Sequence, residues 1–201
     1  MKIALPKGRV SDEVLKIFSN IFHEDFSFDD RKLILKKKDF SFLSVRNQDV
    51  PTYVSYQAAD LGIVGLDVLE EKKVDVFKLL DLGIGRCKIV VGEPIDRPID
   101  YTQSHIKIAT KMPNITREYF AKKAIALDVI KLYGSIELAP LMGLADGIVD
   151  IVETGITMKQ NHLRIESEIM QSSMYLIANK NSFDTKRKEI LDLVERLKAY
   201  L

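Results

Sequence analysis

The sequence predicts an α/β protein made of two lobes. Short β-rich apolar runs alternate with segments of helical periodicity along most of the chain. A turn-rich stretch, Gly92-Glu93-Pro94-Ile95-Asp96-Arg97-Pro98, interrupts the series near its middle and marks a crossing between lobes. Apolar residues at Ile190, Leu191, Leu193, Val194 and Leu197 then close the chain with an amphipathic helix.

Residues 2–5 read as the first strand, and Ser11 is placed to cap a helix with Val14, Leu15, Phe18 and Ile21 on one face. Residues 40–45 and 61–64 read as strands with a short helix at about 50–59 between them, and 88–91 as another strand. A second series follows: strand 106–110, helix 116–124, strand 127–131, helix 138–144 and strand 147–152. Residues 174–178 form a further strand, and the last helix spans about 183–200. The expected lobes are residues 1–90 with 180–201, and residues 91–179.

The 201 residues suffice for one sizeable core or two small lobes. Thirty basic against 29 acidic side chains give a net charge of +1, which argues against coating nucleic acid or an anionic membrane but leaves room for a local basic pocket. The single cysteine, Cys87, precludes an intrachain disulfide and disfavours a cysteine-based metal site. The opening apolar run is broken by Pro6 and Lys7, unlike a signal peptide, and no apolar run approaches the roughly 20 residues that cross a bilayer. The expectation is a soluble cytoplasmic protein.

The strongest local signal is Gly147-Ile148-Val149-Asp150-Ile151-Val152-Glu153-Thr154-Gly155-Ile156-Thr157-Met158, an apolar strand running into Thr-Gly-x-Thr. Two readings fit it. As an anion cradle, Gly155 frees the backbone, Thr154 and Thr157 add hydroxyl donors, and Asp150 and Glu153 hold ribose hydroxyls or water around Mg²⁺. As a plain strand–turn–helix corner, Thr157 is the helix N-cap. Leu5-Pro6-Lys7-Gly8-Arg9 ends the first strand, where open α/β sheets bind ligands, so Lys7 and Arg9 either face a phosphorylated substrate or belong to a solvated turn. Asp67, after Gly62-Ile63-Val64-Gly65, and Asp81 are each either a capping or turn residue or a ligand-facing acid. His23, His105 and His162 lack metal-ligand spacing, and nothing has the pattern of a serine or cysteine triad.

Together these segments resemble the ATP phosphoribosyltransferase family. The family signature is similar to Glu137, Gly143, Ala145, Ile148, Asp150, Ile151, Thr154, Gly155, Thr157 and Met158 with its spacing intact. Leu5–Arg9, Asp49-Val50-Pro51, Asp60–Gly65, Gly85-Arg86-Cys87-Lys88 and Ala109-Thr110-Lys111 also resemble family blocks, so the likeness runs from Lys2 to about Asn179.

The resemblance implies a two-lobed fold like type II periplasmic binding proteins, with the active site in a cleft between lobes. It implies that Glu137, Asp150, Glu153, Thr154, Gly155, Ile156 and Thr157 bind phosphoribosyl pyrophosphate, and that Lys7, Gly8, Arg9, Asp67, Asp81 and Lys88 serve ATP. Adenine N1 then displaces pyrophosphate at C1 of the ribose, with Arg9 and Lys7 contributing charge and no general base assigned. Mg²⁺ is expected to arrive with the substrate, without a dedicated protein site. The chain resembles the short form, which works in a hetero-oligomer with a regulatory subunit resembling histidyl-tRNA synthetase. Only about 20 residues follow the last strand, too few for a sensor domain of their own. A non-catalytic two-lobed binding module is the alternative, but solute binding alone does not require the acid–Thr-Gly-x-Thr loop.

Overall fold

The structure, a computed structural model, describes residues 1–29 and 32–201. From the start to residue 85 the chain forms β1 (Lys2–Pro6), α1 (Arg9–Phe22), β2 (Ile34–Lys37), β3 (Phe40–Val45), α2 (Val50–Ser55), β4 (Leu61–Gly65), α3 (Leu66–Lys72) and β5 (Phe77–Asp81). Between 86 and 172 follow β6 (Cys87–Pro94), β7 (Ile106–Thr110), α4 (Pro113–Lys122), β8 (Leu127–Lys131), α5 (Leu138–Leu141), β9 (Gly147–Val152), α6 (Ile156–Gln160) and β10 (Leu163–Ser172). The chain closes with β11 (Met174–Ala178), α7 (Lys180–Thr185) and α8 (Arg187–Tyr200).

Two units result: Met1–Gly85 with Ser173–Leu201, and Arg86–Ser172. The division falls earlier at both passages than the sequence suggested. Gly92 and Pro94, expected in a crossing, still belong to β6, because Gly92 pairs with Ile148 of β9 and Pro94 with Leu163 of β10. At the second passage β11 belongs to the first unit, where it lies between β4 and β5.

The first unit is a six-stranded sheet in the order β2-β3-β1-β4-β11-β5, with β1 parallel to both β3 and β4. Alternate residues of β1 enter different cores. Ile3 and Leu5 join Phe18, Phe42, Ile190, Leu193 and Leu197 beneath α1 and α8, while Ala4 joins Val50, Val54 and Val68 beneath α2 and α3. Helices on both faces explain why β1 and β4 read as unbroken apolar runs. Beneath α1, Phe18 meets Phe40 and Phe42 edge-on at ring separations of 5.4 and 5.1 Å.

The second unit is a five-stranded sheet in the order β10-β6-β9-β7-β8, with β7 parallel to β8 and β9. From β7 the chain passes through α4 to β8 on one side, then through α5 to β9 on the other. The carboxyl ends of β7 and β9 therefore flank a point where the connections diverge, the position at which open α/β sheets form a ligand crevice.

Several boundaries differ from sequence expectation for local reasons. Ser11 is no cap: Gly8 precedes α1, and Ser11 lies buried in its first turn with its hydroxyl unpartnered among the described residues. Helix α5 stops at Leu141, just before Gly143 takes φ 70°. The final helical stretch is two helices: the Asn179 side chain caps α7 by accepting from the Ser182 N–H, and Lys186 leaves helical geometry before α8.

Candidate active site

Register builds the site in the second unit. Thr110 of β7 lies beside Val149 of β9, so the residues that follow each, Lys111 and Asp150, come together where β7 ends. Thr110 is fully buried; its hydroxyl donates to the Val149 carbonyl at 2.8 Å and accepts from the Met112 N–H at 2.9 Å. This clamp holds the end of β7 against β9. Lys111 Nζ then lies 3.0 Å from the Asp150 carboxylate, whose side chain is only 14% exposed.

Beyond Val152 the chain turns through Glu153, Thr154 and Gly155 into α6. Gly155 precedes the helix with φ 78°, left-handed backbone that glycine adopts without a Cβ penalty. Thr157 is therefore not the N-cap but sits in the first turn of α6, one residue before Met158. Met158 is buried with Ile148, Val152 and Leu163, which anchors the loop to the core.

One cavity of about 400 Å³ lies here, lined by Lys111, Glu137, Asp150, Ile151, Val152, Glu153, Thr154, Gly155, Thr157 and Met158. Six of the seven residues expected to bind phosphoribosyl pyrophosphate are gathered around it. The seventh, Ile156, does not line it and is 57% exposed. Lys111 stands in a family-like block whose sequence gives it no role, because only the strand register reveals its ion pair.

The residues expected on the ATP side fall in both units. Lys7, Gly8 and Arg9 form the exposed β1–α1 junction, where the Lys7 N–H donates to the Val45 carbonyl at 2.8 Å and Gly8 takes φ 98°. Asp67 is buried in the first turn of α3. Asp81 ends β5 and accepts from the Gly83 N–H at 2.9 Å and the Ser173 hydroxyl at 2.7 Å, a turn-stabilising arrangement. Lys88 belongs to the second unit, on β6, and its Nζ lies 2.5 Å from Glu168 of β10. Hydrogen bonds from Lys88 and Gln171 hold the Glu168 carboxyl below its ordinary range. Among the described residues no group of three or more His, Cys, Asp or Glu side chains is placed to hold a metal, and no helix is long and apolar enough to cross a membrane.

The family model described as ATP phosphoribosyltransferase matches residues 46–199. The chain is 65% identical to the ATP phosphoribosyltransferase of Wolinella succinogenes over 95% of its length and 93% of that protein's. It is 62% identical to the enzyme of Helicobacter hepaticus over 100% of its length and 98% of the relative's. Among solved structures it resembles a chain of the ATP phosphoribosyl transferase (HisG:HisZ) complex from Thermotoga maritima, with a TM-score of 0.88, 35% identity, and coverage of 100% of this chain and 98% of that one. The periplasmic aliphatic sulphonate binding protein SsuA of Escherichia coli matches with a TM-score of 0.65 at 10% identity, covering 100% of this chain and 68% of that one, a likeness of fold alone. A matching family model across most of the chain, joined by relatives at 65% and 62% identity along nearly all of it, shows that the chain belongs to the ATP phosphoribosyltransferase family.

Proposed function

We propose that the cavity at the carboxyl ends of β7 and β9 receives the 5-phosphate and ribose of phosphoribosyl pyrophosphate. The chain is an ATP phosphoribosyltransferase, a pentosyltransferase of histidine biosynthesis. The observation behind the assignment is the gathering of Glu137, Asp150, Glu153, Thr154, Gly155 and Thr157 around one crevice. The two threonine hydroxyls suit a phosphate, and the carboxylates suit ribose hydroxyls.

The reaction forms a bond from adenine N1 of ATP to C1 of the ribose and breaks the bond from C1 to the pyrophosphate oxygen. N1 attacks with its own lone pair, so no general base is required. Positive character grows at C1 and negative charge on the departing pyrophosphate, and catalysis rests on alignment and electrostatic stabilisation. Lys7 and Arg9 supply positive charge at the end of β1; Gly8, Asp67, Asp81 and Lys88 complete the residues assigned to ATP. Mg²⁺ would be carried by the substrate and would offset the charge of the pyrophosphate, and Asp150 and Glu153 would suit its water shell.

The reaction is assigned to the cytoplasm, and regulation to a separate subunit resembling histidyl-tRNA synthetase. Similarity to a protein solved in a two-component HisG:HisZ complex supports such a partner. Calorimetric titration with phosphoribosyl pyrophosphate and with ATP, joined to a pyrophosphate-release assay with and without the regulatory subunit, tests these assignments. Binding of both substrates, release of pyrophosphate and histidine inhibition only with the partner present are the expected results. Tight histidine binding and full inhibition on the chain alone would refute the division of labour.

A further inference from the structure

The cavity is rich in acids for a phosphate site. Its lining contains three carboxylates, Glu137, Asp150 and Glu153, and one side-chain cation, Lys111. A phosphate dianion entering a crevice lined by three acids meets repulsion that a nearby cation offsets. Lys111 is the lining group able to reverse that balance. It lies 3.0 Å from Asp150, and its side chain remains 34% exposed.

We propose that Lys111 is a binding residue for the 5-phosphate of phosphoribosyl pyrophosphate, stored on Asp150 until the substrate arrives. This inference rests on the assignment of the cavity to that substrate. Three observations carry it. Thr110 clamps the backbone directly before Lys111 through bonds to Val149 and Met112, so the lysine leaves a fixed point at the cavity rim. The side chain beyond that point is a flexible four-carbon stem with three donors, suited to exchanging one anion for another. Asp150 also accepts from the Ile151 N–H at 2.8 Å, so its carboxylate keeps a donor when the lysine departs. The ion pair therefore has two uses. It prevents mutual repulsion of the acids in the free protein, and on binding it frees Asp150 for the ribose hydroxyls as Lys111 turns to the phosphate.

The test compares Lys111→Met, Lys111→Arg and Gly155→Val in the full chain. Affinity is measured for phosphoribosyl pyrophosphate and for ribose 5-phosphate, which lacks the pyrophosphate, with folding monitored by circular dichroism. Lys111→Met is expected to weaken both ligands by a similar factor, roughly 10- to 100-fold for a charge-assisted contact. Lys111→Arg keeps the positive charge and is expected to retain most of the affinity. If Lys111→Met binds both ligands normally while Gly155→Val loses them, the lysine proposal is overturned and the cavity assignment stands. If neither substitution changes affinity in folded protein, the cavity assignment falls and the proposal with it. Loss of phosphoribosyl pyrophosphate binding alone, with ribose 5-phosphate unaffected, would move Lys111 to the pyrophosphate and overturn its role at the 5-phosphate.

Discussion

Lys186 Nζ donates to both carboxylate oxygens of Asp60 at 2.8 Å, although 126 residues separate them in sequence. The same carboxylate accepts from the Lys2 N–H at 2.8 Å and the Ser182 hydroxyl at 2.9 Å. One nearly buried acid thus joins the start of β1, the approach to β4, and both C-terminal helices.

Burial pushes the Asp60 carboxyl upward, but the bonds from Lys186, Lys2 and Ser182 outweigh it and hold the group below its ordinary range. A carboxyl depressed by folding stabilises the protein above its unfolded pKa of about 3.9, and that contribution is lost as pH falls through the lower folded value. Asp60→Ala is expected to cost about 2–4 kcal/mol at neutral pH, since it strands the buried Ser182 hydroxyl and two partly buried donors, the Lys2 N–H and Lys186. Lys186→Met should cost less, about 1 kcal/mol, because the lysine side chain is 40% exposed. Urea titrations at pH 7 and below pH 4 check this, with the penalty of Asp60→Ala shrinking at the acid end.

Phe18 is fully buried and packs its ring against Phe22, Phe26, Phe40 and Phe42. Phe18→Ala removes the centre of that group and is expected to cost about 3–5 kcal/mol. Thermal unfolding should fall by roughly 6–20 °C, given about 2–4 °C per kcal/mol for a chain of this size. A shift of only a degree or two would show that the neighbouring rings close over the vacancy.

At Gly155 an added Cβ would approach nothing closer than 3.9 Å, so space does not select glycine there. Its φ of 78° does. Gly155→Val is expected to strain the loop by roughly 1–3 kcal/mol and abolish phosphoribosyl pyrophosphate binding while the fold persists. Gly155→Asn should retain more affinity, because asparagine tolerates left-handed backbone better than a β-branched residue does. Equal loss in both variants would point away from backbone conformation as the cause.

Arg9 opens α1 directly after Gly8. Arg9→Ala is expected to lower turnover at least about tenfold, as loss of a charge-assisted contact worth roughly 1.5–3 kcal/mol predicts. Steady-state kinetics with both substrates, together with an unchanged melting curve, would place the effect on the reaction. Normal kinetics would leave Arg9 a solvated junction residue.

The elements legible in the sequence are those with a local cause. Strands β7, β8, β9 and β11 emerge at their expected limits because each is a short β-rich apolar run bounded by polar or turn residues. Strand β10 was missed: it pairs along one edge with β6, and shifts between Ile165 and Ser167 and between Glu168 and Met170 disrupt its two-residue alternation. The break between α7 and α8 was missed because the Lys186 contact with Asp60 cannot be seen in local periodicity. The site divides the same way. The threonine–glycine loop is a contiguous motif, whereas Lys111 meets Asp150 only through the register of β7 on β9.

The placement of β11 has a consequence for how the chain is made. Residues 86–172 are contiguous, so the second unit holds its entire sheet once residue 172 has left the ribosome. The first unit must wait: among the described residues β11 is the strand that joins β4 to β5, and Phe18 shares its core with α8 residues that are synthesised after residue 172. Assembly from the amino terminus therefore reverses the order of the numbering, with the later-encoded middle segment complete before the opening one. Nascent chains that end at residue 172 and are held on a linker long enough to clear the ribosome should resist protease across 86–172 while 1–85 is still cleaved. The same connectivity makes the middle segment removable, since the Met174 N–H already bonds the Ile84 carbonyl at 3.0 Å. A short linker from Gly85 to Ser173 would bridge neighbouring chain ends and leave the six-stranded sheet with all its strands.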